Sequence, residues 1–186
     1  MTSSAPAWRE RTREIKIGPV ALDGMLELPD ASAGIVLFAH GSGSGRFSPR
    51  NNFVARALRD SGFATLLFDL LTEEEAQDRA NVFDIPLLAE RLSMATAWVK
   101  QDPDTAALSI GYFGASTGAA ATLVAAASGA WPLAAIVSRG GRPDLAGAAL
   151  TKVTAPTLLI VGGADATVLG LNRAALSSDS QVGTQG

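Results

Sequence analysis

The residues best suited to chemistry surround one serine. Residues 114–118 read Gly-Ala-Ser-Thr-Gly, a G-x-S-x-G segment between a predicted strand and a predicted helix. A sharp turn from strand to helix strains the backbone at the serine and exposes its hydroxyl, while Gly114 and Gly118 let neighbouring backbone pass close by. The following helix adds positive potential where an oxyanion would form. The pattern predicts that Ser116 is a nucleophile; the alternative is a Gly-Ser loop that only precedes a helix.

Two other segments would complete such a site. Residues 39–45, AHGSGSG, follow a buried strand, where a glycine-rich turn can direct a backbone N–H towards the nucleophile. We expect the N–H groups of Ser42 and Thr117 to form an oxyanion hole. Asp165 lies in the loop after another buried strand and is predicted to be the acid that orients a histidine. The alternative role for Asp165 is the N-cap of the next helix.

The histidine and cysteine counts limit the remaining chemistry. The 186 residues include one histidine, His40, and no cysteine, so disulfides, thiol nucleophiles and cysteine-bound metals are excluded, and neither a metal nor a cofactor is expected. His40 precedes Gly41 on the side of the oxyanion turn, so we assign it a structural role in the glycine-rich loop. A catalytic base role is the alternative. A serine triad without its histidine is severely impaired.

Three arginines are candidates for substrate binding. Arg46 follows the glycine-rich loop, and Arg139 and Arg142 flank two glycines after a predicted strand, at the sheet edge where ligands bind. Guanidinium groups there could hold a carboxylate or phosphate of the substrate. The equally weighted alternative is that they form surface pairs with Asp69 or Asp144.

The elements that must position these residues form an α/β pattern. Residues 14–20 and 22–29 predict an antiparallel edge pair, and continuous apolar runs predict strands that are buried on both faces in a parallel sheet. The runs are residues 34–40, 63–69, 108–113, 133–137 and 156–161. Helices are predicted over 49–60, 85–100 and 116–127, with short ones after Pro143 and Thr167. We expect one domain over residues 14–176, with helices on both faces of the sheet, between a loose segment 1–13 and a polar tail 177–186.

Five motifs in this order resemble one known family. HGSGSG, DLL after the next strand, GYFGASTGAAA, SRGGRPDLAG and APTLLIVGGAD are similar to the dienelactone hydrolase branch of the α/β-hydrolase superfamily, over roughly residues 14–176. The resemblance implies hydrolysis of a small-molecule ester or lactone through an acyl-enzyme on Ser116, with Asp165 as the triad acid. Well-known members carry a cysteine nucleophile, which is replaced by Ser116 here.

The end of the chain departs from that resemblance. Such hydrolases place the histidine after the acid, on a loop between one more strand and a last helix, but no histidine follows His40. We therefore expect a C-terminally altered member that lacks this strand, helix and base, with low activity. Residues 156–161 would then form an exposed apolar edge, so we predict either a homodimer through that edge or a cover made by the tail.

The net charge and the pattern of apolar residues exclude proteins that bind nucleic acid or span a membrane. A net charge of −3 gives no basic footprint for nucleic acid or anionic lipid. Residues 105–138 carry no charge, but their glycines and small residues favour a buried strand, helix and strand over a membrane span. A cytoplasmic location is expected because no secretory signal is visible.

Two competing functions remain open. Residues 35–69 imitate a dinucleotide-binding unit, but Arg46 stands at the position of its third glycine. The stronger alternative is a non-catalytic protein of the hydrolase fold that binds a small acid or a protein partner.

Overall fold

The structure is a computed structural model that describes residues 11–178 and 182–185. Its strands are β1 (Arg11–Ile17), β2 (Leu22–Leu28), β3 (Gly34–Ala39), β4 (Ala64–Phe68), β5 (Ser109–Ala115), β6 (Leu133–Arg139), β7 (Thr157–Ile160) and β8 (Val182–Gln185). Its α-helices are α1 (Pro49–Asp60), α2 (Arg79–Val82), α3 (Ile85–Gln101), α4 (Thr117–Ala127) and α5 (Ala166–Ser178). Two 3₁₀ segments cover Glu75–Gln77 and Pro143–Lys152.

One sheet contains the eight described strands, in the order β1-β2-β4-β3-β5-β6-β7-β8. β1 pairs with β2, and β2 with β4, in antiparallel fashion, whereas every pair from β4 onward is parallel. The predicted α/β fold with an antiparallel N-terminal edge pair is confirmed. Because β3, β5, β6 and β7 run in one direction, the loops that follow them meet at the same edge of the sheet.

The apolar runs form these strands because the sheet is covered on both faces. All five residues of β4 are buried, and so are five of the six residues of β3. The long helix α3 turns Leu88, Leu92, Ala95 and Val99 towards the main core, which is the stripe predicted from the sequence. Helix α1 begins as predicted, with Pro49 in its first turn.

The N-terminal boundary needs a correction. We expected residues 1–13 to be loose, but residues 11–13 are the first part of β1, paired with residues 26–28 of β2. Ion pairs help to hold residues 11–13 in the strand, since Arg13 contacts Asp102 at 2.7 Å and Asp104 at 3.0 Å. Residues 1–10 lie outside the described part of the chain.

The C-terminal boundary also needs a correction. We expected residues 177–186 to form a polar tail without a strand, whereas β8 pairs with β7 in parallel and covers its outer edge. An edge strand is held mainly by backbone hydrogen bonds, so a four-residue strand does not require the apolar side chains whose absence guided the prediction. The tail cover is thus the alternative that the structure supports, and the homodimer stays a prediction that sedimentation can test.

The uncharged stretch from Thr105 to Ser138 contains β5, α4 and most of β6. Within the described residues, no helix is both long enough and apolar enough to span a membrane.

Truncation of a core leucine tests how much burial within the sheet contributes to the free energy of unfolding. Leu66 in β4 is 0% exposed, so Leu66→Ala should lower the free energy of unfolding by about 2–5 kcal/mol. Leu145 is 38% exposed, so the control Leu145→Ala should change the free energy by less than about 0.5 kcal/mol. Urea denaturation of both variants measures the difference; equal losses would contradict this assignment of the core.

Candidate active site

Ser116 occupies a strained turn between β5 and α4. Its φ of 52° and ψ of −120° lie in a region that non-glycine residues rarely adopt. Two hydrogen bonds hold this conformation: the Ser116 N–H donates to the Arg139 carbonyl at 3.4 Å, and the Ser116 carbonyl accepts from the Arg142 N–H at 3.3 Å. The side chain is half-buried at the start of α4. The turn thus presents the hydroxyl at the carboxyl edge of the sheet.

The backbone around Ser116 leaves no room for a side chain at Gly114 or Gly118. A Cβ on Gly118 would lie 2.2 Å from the Ala39 carbonyl oxygen, and one on Gly114 would lie 2.4 Å from the Ala119 Cα. Both contacts are with backbone, which cannot rotate away as a side chain can. Helix α4 therefore packs directly against the end of β3 and against β5, as the motif predicted.

The glycine-rich turn after β3 lies against the serine. A Cβ on Gly41 would approach the Ser116 Cβ to 3.0 Å, so the turn and Ser116 are in direct contact. The Ser42 N–H donates to the Thr117 Oγ1 at 3.1 Å, and the Thr117 N–H belongs to the first turn of α4, where N–H groups lack intrahelical partners. The structure thus brings Ser42 and Thr117 together, but the Ser42 N–H would have to exchange its threonine partner for an oxyanion.

His40 connects two loops at the sheet edge. Its Nε2 accepts a hydrogen bond from the Leu70 N–H at 3.0 Å, so Nδ1 carries the proton and donates to the Gly41 carbonyl at 3.0 Å. Burial lowers the pKa of His40 below its usual value. A neutral ring with both nitrogens engaged joins the turn after β3 to the turn after β4, which is the structural role assigned from the sequence.

Asp165 caps the last described helix. Its Oδ1 accepts from the Val168 N–H at 3.0 Å, and its side chain is exposed. This is the N-cap alternative of the sequence prediction. Gly162 in the same loop lines a cavity beside Ser116, but Asp165 does not. Asp165 therefore lies in the expected loop but does not line the cavity beside Ser116.

Helix α5 is attached to the turn after β6 by one amide. The Asn172 Nδ2 donates to the Gly141 carbonyl at 3.0 Å and to the Val168 carbonyl at 2.8 Å. The side chain of Asn172 is buried, and its Oδ1 has no hydrogen-bond partner among the described residues. The turn that follows Arg139 is thus held from the side of α5.

Two of the three predicted substrate-binding arginines have internal partners. The guanidinium of Arg46 pairs with Asp69, whose Oδ1 also accepts from the Arg46 N–H at 2.7 Å. Arg142 makes two hydrogen bonds to Asp144, of 2.8 and 2.6 Å, which lower the pKa of that carboxyl. These are the surface pairs that the sequence left as the alternative.

Arg139 differs from them, because it has no carboxylate partner among residues 11–178. Its Nη2 donates to the Asn51 Oδ1 at 3.0 Å, and its guanidinium lies 5.8 Å from the centre of the Phe113 ring. Arg139 lines a cavity of about 300 Å³ that also includes Ser116 and Arg50. Arg50 was missed in the sequence prediction; its place in the first turn of α1, at the carboxyl edge of the sheet, was the available signal.

A larger cavity lies on the other side of the glycine-rich turn. Its volume is about 440 Å³, and it reaches the oxyanion region through Ser42 and Thr117. Its apolar part includes Leu71, Val82 and Leu88. Two cavities thus adjoin the candidate site: the larger combines apolar side chains with charged ones such as Lys16 and Asp69, and the smaller carries two arginines.

The described residues do not suggest a metal centre. Within residues 11–178, no three histidine, aspartate or glutamate side chains are grouped so that they could hold a metal ion.

A serine on a strained strand-to-helix turn, at the carboxyl edge of this mostly parallel sheet, defines an α/β-hydrolase. The chain belongs to the dienelactone hydrolase family, whose profile matches residues 22–180. A dienelactone hydrolase from Anabaena variabilis is 53% identical in its solved structure, with a TM-score of 0.87 over 95% of this chain and 83% of that one. The resemblance stated from the sequence motifs is therefore confirmed.

Other similar proteins extend the comparison. A dienelactone hydrolase-like promiscuous phosphotriesterase from metagenomic libraries shares the fold, with a TM-score of 0.71 and 22% identity, over 95% of this chain and 82% of that one. A Mycobacterium tuberculosis H37Rv protein named "Putative phosphoribosyl transferase" is 59% identical over 170 residues, which are 91% of this chain. The chain spans only 38% of the length of that relative.

The close approach of α4 to β3 predicts a steric cost at Gly118. Gly118→Ala places a methyl group against two backbone carbonyls, at 2.2 and 2.4 Å, and should lower the free energy of unfolding by about 1–3 kcal/mol. Gly170 in α5 has no atom within 4 Å of a Cβ, so Gly170→Ala should raise stability by about 0.5–1 kcal/mol. Thermal denaturation compares the two variants; a neutral Gly118→Ala would contradict the packing described.

Burial of neutral His40 predicts a pH-dependent loss of stability. The unfolded chain takes up a proton on this histidine below about pH 6.5, whereas the lowered pKa of His40 keeps the folded ring neutral to a lower pH. The unfolded state then binds more protons, so stability falls as the pH decreases from about 6.5 towards the folded pKa.

His40→Gln is the control, because it removes this titration and leaves the carboxylates unchanged. Urea denaturation between pH 8 and pH 5 should give a shallower decline for the variant, by up to about 1.4 kcal/mol per pH unit. Parallel pH profiles for the two proteins would show that His40 titrates normally.

Proposed function

We propose that the protein is a serine hydrolase that cleaves carboxylic esters or lactones through an acyl-enzyme on Ser116. The observation that carries the proposal is the backbone of Ser116, with φ of 52° on a turn packed against the glycine-rich loop. Membership of the dienelactone hydrolase family supports a hydrolytic reaction. The name of the mycobacterial relative belongs to a much longer protein and carries no argument for this chain.

In the proposed reaction, the Ser116 Oγ attacks the carbonyl carbon of the ester while a base takes its proton. The carbonyl oxygen becomes an oxyanion, for which the Thr117 N–H and the Ser42 N–H are the donors, and the alkoxide leaves with a proton. Water then attacks the acyl-enzyme and restores the Ser116 hydroxyl. The apolar part of the cavity beside Ser42 and Thr117 is suited to the organic part of the substrate.

The proposed reaction needs a base, and the one histidine among these 186 residues, His40, has both ring nitrogens engaged in loop contacts. Loss of the base from a serine triad costs on the order of 10⁶ in kcat, and loss of the serine as well then costs little more. A comparison of steady-state rates alone is therefore a weak test of Ser116.

Acylation in the presence of added imidazole is the sharper test. Imidazole can accept the serine proton as a histidine would, so a short-chain nitrophenyl ester plus imidazole should leave an acyl group on the protein. Mass spectrometry of the intact chain should detect this adduct, and peptide mapping should place it on Ser116. Nitrophenol release should exceed the imidazole-only rate.

Ser116→Ala should show neither the adduct nor the additional release. Ser109→Ala is the matched control, because Ser109 is exposed at the opposite end of the same strand. Equal acylation and release in the wild type and in Ser116→Ala would refute the proposal. That result would favour the second candidate, a non-catalytic protein of this fold that binds a small acid or a protein partner. Its supporting observation is the pair Arg50 and Arg139 beside Ser116, neither of which has a carboxylate partner among residues 11–178.

A further inference from the structure

The smaller cavity beside Ser116 has an unbalanced charge. Among the described residues, its lining includes two cationic side chains, Arg50 and Arg139, and no acidic one. Within residues 11–178 neither arginine has a carboxylate partner, whereas the nearby Arg46 and Arg142 each have one. Two like charges next to each other are unfavourable without a counterion, and burial, together with the neighbouring charge of Arg50, lowers the pKa of Arg139.

Arg139 is held in position rather than free to swing into solvent. Asn51, which is 2% exposed, fixes its Nη2, and the Phe113 ring lies beneath its guanidinium. The Nε of Arg139 is buried without a hydrogen-bond partner among the described residues. A buried donor without a partner costs free energy, so the contacts with Asn51 and Phe113 are what hold Arg139 here.

The remaining features of the cavity also favour an anion. Arg50 belongs to the first turn of α1, and Ser116 begins α4, so the positive ends of two helix dipoles adjoin the cavity. Its volume of about 300 Å³ exceeds what a single water molecule needs. Two arginines and no acid match a ligand group with two negative charges.

We infer that Arg50 and Arg139 form an anion subsite that binds a phosphate monoester dianion carried by the substrate. Arginine suits this group because its planar donors match phosphate oxygens. The inference rests on the proposed function for the role of Ser116, and it narrows the substrate to a carboxylic ester or lactone that bears a phosphate near the scissile bond. The subsite would orient that bond at the serine.

Binding of phenyl phosphate, measured by calorimetry at pH 8 and constant ionic strength, tests the subsite without requiring turnover. Arg50→Gln and Arg139→Gln should each weaken binding by about tenfold or more, the effect of losing one charge-assisted hydrogen bond. Arg56→Gln is the control, because Arg56 is exposed on the same helix and does not line the cavity; it should change the dissociation constant by less than about twofold. Arg50 is exposed, so its variant should fold even if Arg139→Gln does not.

A second binding experiment varies the charge of the ligand. Benzoate, with one negative charge, should bind at least about tenfold more weakly than phenyl phosphate. Lowering the pH to 5 should weaken phenyl phosphate binding, because the second phosphate pKa is about 6 and the arginines, the titratable residues of the cavity lining, stay charged. Equal affinity for benzoate and phenyl phosphate would overturn the phosphate assignment in favour of a carboxylate.

The outcomes separate this inference from the proposed function. Equal phenyl phosphate binding in the wild type and in Arg50→Gln overturns the subsite, even if imidazole-dependent acylation occurs. Arginine-dependent binding without acylation keeps the subsite and refutes the hydrolase.

Discussion

The contact between the glycine-rich turn and the start of α4 is the constraint on which the rest of the site depends. Ala39 and His40 carbonyl oxygens occupy the space where a Gly118 side chain would lie, and Gly41 packs against the Ser116 Cβ. This close packing fixes the distance between β3 and α4 and keeps Ser116 at a positive φ. The positions of Ser42 and Thr117 depend on this contact. So do the positions of the two cavities and of the arginines beside Ser116.

The fold could be predicted largely from the sequence because its signals are local. Continuous apolar runs located β3 to β7, and the Ser48-Pro49 pair located the start of α1. The two ends were predicted less well, since what orders them lies far away along the chain. Arg13 is held by Asp102 across 89 residues, and β8 pairs with the backbone of β7, from which helix α5 separates it along the chain.

The candidate site shows the same division between local and distant information. Ser116 and the turn at Ser42 could be found from glycine spacing, because a tight turn requires glycine at particular positions. The sequence could not show which arginines pair with a carboxylate, because Arg46, Arg139 and Arg142 have similar surroundings along the chain. Their difference depends on which carboxylates the fold brings near: Asp69 reaches Arg46, Asp144 reaches Arg142, and no acid within residues 11–178 pairs with Arg139.

The side-chain amide of Asn172 connects helix α5 to the turn that holds Ser116. Through Gly141 it holds the turn whose next residue, Arg142, donates its N–H to the Ser116 carbonyl. The connection carries no charge, so it is insensitive to ionic strength and acts only through position. A shift of α5 would therefore reach Ser116 as a displacement of the backbone turn that holds its carbonyl.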